Sequence, residues 1–153
     1  MTVKLTLQNA TQNKNIPSKA QFKKWLSALF KKNDTIEITI RIVGKKESEK
    51  LNYYFRKKQK PTNVLAFPYS TLSPLLGDLV ICAPIVTTEA KEQKKELMAH
   101  FAHLTIHGTL HLLGYDHIKI KDAKKMERLE TRIMQQLNFN DPYCSNNFLD
   151  QQF

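Results

Sequence analysis

All five histidines of this chain lie between positions 100 and 117, and they carry the most specific chemistry the sequence offers. His107 and His111 stand four apart, which in a helix puts both imidazoles on one face, one turn from each other. Gly114 can close that helix in the left-handed conformation that only glycine adopts cheaply. Tyr115 and Asp116 then lead to His117. Three imidazoles, two from a rigid helix and one from the loop behind it, can converge on a divalent cation and leave a fourth position for water. His103 and His107 are also four apart, so helical spacing alone does not choose the ligands. Reach does. From His103 to His111 is about 12 Å at 1.5 Å per residue, whereas a zinc–nitrogen bond is about 2.1 Å. One cation does not easily take both, and only the 107/111 pair is followed by a glycine turn that returns a third ligand. His107, His111 and His117 are therefore read as ligands of one zinc ion, although imidazole also suits other divalent metals. His100 and His103 are read as residues that support or pack around them.

The rest of the chain must position this group. Val3, Leu5 and Leu7 alternate with polar residues, the mark of a short strand. Ser18 and Gln21 have the spacing of a capping box. Phe22, Trp25, Leu26, Leu29 and Phe30 recur at three and four, which predicts an amphipathic helix over 19–32. Ile36, Ile38, Ile40 and Ile42 form the clearest strand, ended by Gly44. Residues 45–58 read as a helix with Leu51, Tyr54 and Phe55 inward, broken before Pro61. An apolar strand over 64–67 stops at Pro68, a loop covers 69–76, and a second buried strand over 79–82 stops at Pro84. Asp78 reads as a residue at the start of that strand rather than as part of a site. A short helix over 89–95 precedes the histidine helix over 96–113. Asp122 caps a last helix whose inward residues are Ala123, Met126, Leu129, Ile133 and Leu137. Four strands interleaved with about five helices predict one α/β domain over residues 1–138. Residues 139–153 lose periodicity and read as a loose polar tail.

At 153 residues and 41% hydrophobic content the chain can bury one core. A formal charge of +10 fits a polyanionic partner, though a compositional bias toward lysine would give the same number. Cys82 and Cys144 are isolated and form no CxxC, which argues against a disulfide framework and against a thiolate zinc site. No apolar run approaches the roughly eighteen residues of a membrane span, and the N-terminus has no apolar signal region. A cytoplasmic protein without a membrane partner is expected.

From His107 the chain reads HGTLHLLGYDH, with His, His, Gly and His at the offsets of the zinc-protease pattern HExxHxxGxxH. Gly108 stands where those proteases carry their general-base glutamate. The cage is kept and the base is absent, which demotes a peptidase. The same stretch, with LNYYFRKKQKPTNVLAFP at 51–68 and LLGDLVI at 75–81, resembles the YbeY family of bacterial metal-dependent endoribonucleases, which act in ribosomal RNA maturation. The likeness spans roughly residues 36–137.

The resemblance implies a small α/β fold with a mixed, mostly parallel sheet and a zincin-like histidine helix. It implies zinc on His107, His111 and His117, an RNA phosphodiester substrate, and Arg56 in the active cleft. A guanidinium offers phosphate oxygens a planar fork, so Arg56 is the candidate for stabilising transition-state charge. Asp116 is the other candidate, chiefly to orient a histidine, otherwise as a base or a cap of the turn. The family commonly reads PTDVLSFP, and this chain has Asn63 and Ala66 in place of the acid and the serine. The leading reading is a single-strand-directed endoribonuclease acting on precursor ribosomal RNA, with the ribosome or its small-subunit components as partners. Its rivals are a zincin-like metallopeptidase and a non-catalytic, zinc-stabilised RNA- or ribosome-binding domain. Structural zinc normally has four protein ligands, and no fourth is evident.

Overall fold

The four alternating isoleucines, Ile36 to Ile42, share one face of strand β2 (Thr35–Val43) and are almost fully buried. The computed structural model describes residues 2–70, 74–115 and 120–143. In it, β2 pairs in parallel with β1 (Thr2–Asn9) on one side and with β4 (Leu75–Cys82) on the other. Strand β3 (Val64–Ser70) runs antiparallel to β4 and closes the order β1-β2-β4-β3. Five helices complete the described residues: α1 (Lys19–Ser27), α2 (Lys45–Arg56), α3 (Ala83–Glu92), α4 (Leu97–Leu112) and α5 (Ile120–Gln136). This is the small α/β domain with a mixed, mostly parallel sheet that the resemblance implied.

The isoleucine face packs with Phe22 and Leu26 of α1, Phe101 and Ile106 of α4, and Met126 and Met134 of α5 in one continuous core. Helix α4 lies within it, touching β3, β4, α1, α3 and α5. Enclosed on most sides, it buries residues nearly all round, the polar His100, His103, Thr105 and Thr109 among them. The other face of the sheet carries only a small cluster, Val43, Leu65, Val80 and Cys82, capped by Leu51 of α2.

Local signals held where the partner is local. Ser18 accepts from the Gln21 amide and Gln21 returns the bond to the Ser18 amide, the reciprocal cap its spacing predicts. Boundaries moved where distant or side-chain partners intervene. Helix α1 stops at Ser27, where the Ala28 and Leu29 amides tighten onto carbonyls three residues back, and beyond it the Lys31 amide is taken by the Asp34 carboxylate at 2.7 Å. Pro68 does not end β3. It lies inside an edge strand, next to a bulge, where its missing N–H costs no inner ladder bond. Leu75 and Leu76, expected in a loop, belong to β4, which begins at Leu75 rather than at Leu79. Pro84 opens α3 at its first turn, so that helix begins six residues earlier than periodicity suggests.

The largest correction concerns α2. Tyr54 and Phe55, expected inward, are exposed, and the helix buries Ser48 and Asn52 instead. The Ser48 hydroxyl donates to the Thr62 carbonyl and accepts from the Thr62 amide, each at 2.9 Å, and the Asn52 side chain donates to the Lys60 carbonyl. These bonds to the 60–62 segment set the helix's rotation. The start of the presumed tail is packed: Phe139 meets Trp25 edge-on and Pro142 is buried. Residues 144–153, with Cys144, lie outside the described residues.

Candidate metal centre and active cleft

Helix α4 reaches the sheet through Gly108. A Cβ there would stand 2.9 Å from Leu79 Cδ2 and 3.2 Å from Val64 Cγ2, so a glutamate at this position would collide with β3 and β4. The chain thus uses the protease-base position for close packing. At its far end α4 stops as the glycine predicted. Gly114 has φ 97°, and the amides of Gly114 and Tyr115 return to the carbonyls of His111 and Leu110.

Between these points His100, His103, His107 and His111 form a continuous row, with successive ring centroids 6.3, 6.2 and 4.7 Å apart. Two carboxylates from other helices meet it. His100 Nε2 lies 2.9 Å from Glu89 Oε1, and the Asn63 side-chain amide donates to both Glu89 oxygens. Burial pushes the Glu89 carboxyl up, but these two bonds outweigh it and hold the group below the usual carboxylate range. Asn63, one of the two departures from the family pattern, is thereby the donor that Glu89 requires.

Glu130 of α5 is fully buried and sits at the centre of a larger network. His107 Nδ1 is 2.6 Å from Glu130 Oε1, His103 Nε2 is 3.2 Å from the same oxygen, and the Tyr143 hydroxyl donates to Oε2 at 2.7 Å. Burial opposes ionisation of Glu130, yet the hydrogen bonds from His103 and His107 outweigh it and bring its pKa down to about 2. Burial lowers the pKa of His103 despite Glu130 beside it, which favours a neutral ring. Its Nδ1 is buried without a partner among the described residues, as fits a lone pair on a ring that donates through Nε2. Burial and the Glu130 charge keep the Tyr143 hydroxyl protonated.

An ionised carboxylate only accepts, so His107 carries a proton on Nδ1, and as a neutral ring it presents a lone pair at Nε2. That nitrogen lies 3.2 Å from His111 Nε2. Two nitrogens bound at about 2.1 Å to one tetrahedral ion are about 3.4 Å apart. The pair therefore fits a shared cation, and the Glu130–His107 bond is the outer support that metal-ligating histidines usually have. Among the described residues no set of three candidate ligands converges. His117, the expected third, lies outside them, as does Asp116.

A cavity of about 610 Å³ opens beside this pair and is also lined by Arg56, Phe55, Phe67, Asn63 and Ala66. Arg56, the last residue of α2, thus shares one cleft with His107 and His111. No carboxylate pairs with it among the described residues. A second cavity of about 400 Å³ adjoins through Asn63 and His107 and is lined by Glu89, His100, His103 and Tyr143. The reading of the sequence missed Glu89, Glu130 and Tyr143. Glu130 left a signal: it lies four residues after Met126 and three before Ile133, a charge within the apolar stripe of α5. Tyr143 left none, standing in a segment without periodicity.

The sequence model of the family described as Endoribonuclease YbeY matches residues 6–138. A curated protein from Nitrosomonas eutropha, named Endoribonuclease YbeY, is 53% identical over 139 residues, covering 91% of this chain and 97% of its own. The solution structure of a protein from Thermotoga maritima superposes with a TM-score of 0.57, covering 92% of this chain and 98% of that one. At 22% identity it is a likeness of fold. With a family match across most of its length and a relative more than half identical, this chain belongs to the YbeY endoribonuclease family.

Proposed function

We propose that this protein is a metal-dependent, single-strand-directed endoribonuclease that hydrolyses RNA phosphodiesters in the cleft between α2 and α4. The observation that carries the proposal is the pair of Nε2 atoms 3.2 Å apart, in a cleft that also holds an arginine. Family membership and the name of the 53% identical relative support an RNA substrate.

His107, His111 and His117 would hold one zinc ion, which when bound supplies a water acidified toward neutral pH and positive charge beside a phosphoryl oxygen. The protein's own groups do the remaining work. Glu130 fixes the tautomer and direction of His107, and Tyr143 and His103 hold Glu130 in turn. Arg56 presents its planar fork to the phosphate and balances charge that grows in the transition state. Asp116, next to His117 in the chain, would orient that histidine. Gly108 supplies no base, which separates this site from that of the zinc proteases. We assign the activity to ribosomal RNA maturation in the cytoplasm, in contact with the ribosome or its small-subunit components. The charge of +10 suits such a polyanionic surface.

The test incubates purified protein with structured ribosomal RNA fragments and with unfolded protein, with and without chelator, beside a His111→Ala variant. Chelator-sensitive RNA cleavage that the variant loses is expected. Peptide cleavage alone, or RNA bound yet left intact, would refute the proposal.

A further inference from the structure

Tyr53, Tyr54 and Phe55 on α2 expose half or more of their surface, with Tyr54 at 71% and Phe55 at 57%, while the same helix buries a serine and an asparagine. Leaving aromatic rings in water while polar groups are buried runs against the hydrophobic effect, and such a patch marks a binding surface. The rings are ordered relative to one another. Tyr54 and Phe55 meet edge-on at 5.1 Å between centroids, and Phe55 meets Phe67 of β3 at 4.9 Å. Phe55 and Phe67 line the cleft of His107 and His111, so the row of rings leads from open solvent to the candidate metal site.

Charge identifies the occupant. Arg56, Lys57, Lys58 and Lys60 follow these rings directly and are all exposed. Lys57 adopts the left-handed conformation, φ 59°, which turns the chain sharply at the end of the helix. Aromatic faces interleaved with cations match a strand whose flat bases alternate with phosphates. Bases paired and stacked in a duplex offer no such faces. Deepening the endoribonuclease reading, on which it rests, we propose that Tyr54, Phe55 and Phe67 form a stacking platform for unpaired RNA bases flanking the scissile phosphate. Selection of unpaired RNA then comes from stacking rather than from reading base edges.

The experiment titrates full-length protein against a fluorescein-labelled unpaired oligoribonucleotide by anisotropy, and repeats the titration with a copy made abasic beside the cleavage site. Cleavage kinetics and thermal melts are measured on the same samples. Phe55→Ala weakens binding about tenfold and raises KM more than it lowers kcat, whereas Phe55→Trp stays within about twofold of the parent. The abasic oligonucleotide binds the parent about as weakly as the intact one binds Phe55→Ala, and the two losses do not add. Because Phe55 is exposed, the melting temperature of Phe55→Ala stays close to that of the parent, and Tyr54→Ala gives a smaller loss in the same direction. A parent that cleaves RNA while Phe55→Ala binds equally well overturns the platform alone. Equal weakening by Trp and Ala at position 55, or additive losses with the abasic strand, also overturns it. Unchanged RNA affinity with loss of a protein partner would make the face a protein-docking surface. A parent that neither binds nor cleaves RNA overturns the function itself, a result distinct from these.

Discussion

The two halves of the histidine row have the same residue type on the same helix at nearly the same spacing, yet they end in opposite states. His100 and His103 turn Nε2, the nitrogen farthest from the backbone, onto carboxylates inside the protein. His107 gives its carboxylate the inner nitrogen, Nδ1, and so holds Nε2 toward His111 and the cleft. A single oxygen, Glu130 Oε1, makes both kinds of contact, at 3.2 Å with His103 and 2.6 Å with His107. A carboxylate on the outer nitrogen leaves the ring's lone pair on the inner one, buried beside the helix, whereas a carboxylate on the inner nitrogen turns the lone pair outward, toward the cleft. On the proposed assignment, what separates a supporting histidine from a ligand is where its partner stands.

Substitution at the two ends of the row breaks this contrast most sharply. His111→Ala should lose bound metal by elemental analysis and reduce RNA cleavage by more than about a hundredfold, the upper range for disturbing an outer support. His100→Ala should keep metal and cleavage near the parent's, while losing about 1–3 kcal/mol of stability from the bond to Glu89. Comparable loss of metal in both variants would abolish the distinction.

Glu130→Gln tests the hinge between the halves. It should weaken metal affinity about 10- to 100-fold by competition with a chelator. It should also cost about 3 kcal/mol in urea denaturation, because it breaks a buried, charged network. If metal affinity were unchanged, Glu130 would be a fold residue only. Gly108→Ala should cost about 1–3 kcal/mol from the crowding against Leu79 and Val64. Full stability would mean that α4 can shift away from the sheet freely.

The smallest effect is expected at Glu89, and it is one of pH. Its carboxyl is held below the ordinary value of 4.5, so the ionised form stabilises the fold fully above that pH. That contribution is lost as pH falls below 4.5 and through the group's lowered pKa. Glu89→Gln should therefore flatten the acid side of the stability–pH curve while leaving metal binding at neutral pH intact. An unchanged acid limb would show that His100 and Asn63 do not favour the charged form of Glu89.

The histidine helix, its Gly114 stop, the central strand and the Ser18 cap were legible in the sequence because they depend on periodicity or on partners within four residues, and the family was legible through the likeness of its motifs. Even Glu130 was visible as a misfit in the stripe of α5. What its charge was for could not be read, since His103 and His107 are 27 and 23 residues away in the chain. Nor could the rotation of α2: apolar periodicity turned Tyr54 and Phe55 inward, and hydrogen bonds from Ser48 and Asn52 to a distant loop turned them out. The tertiary structure alone decided which nitrogen of each imidazole is satisfied and which rings remain in water, because both depend on groups brought together by folding rather than by neighbourhood in the chain.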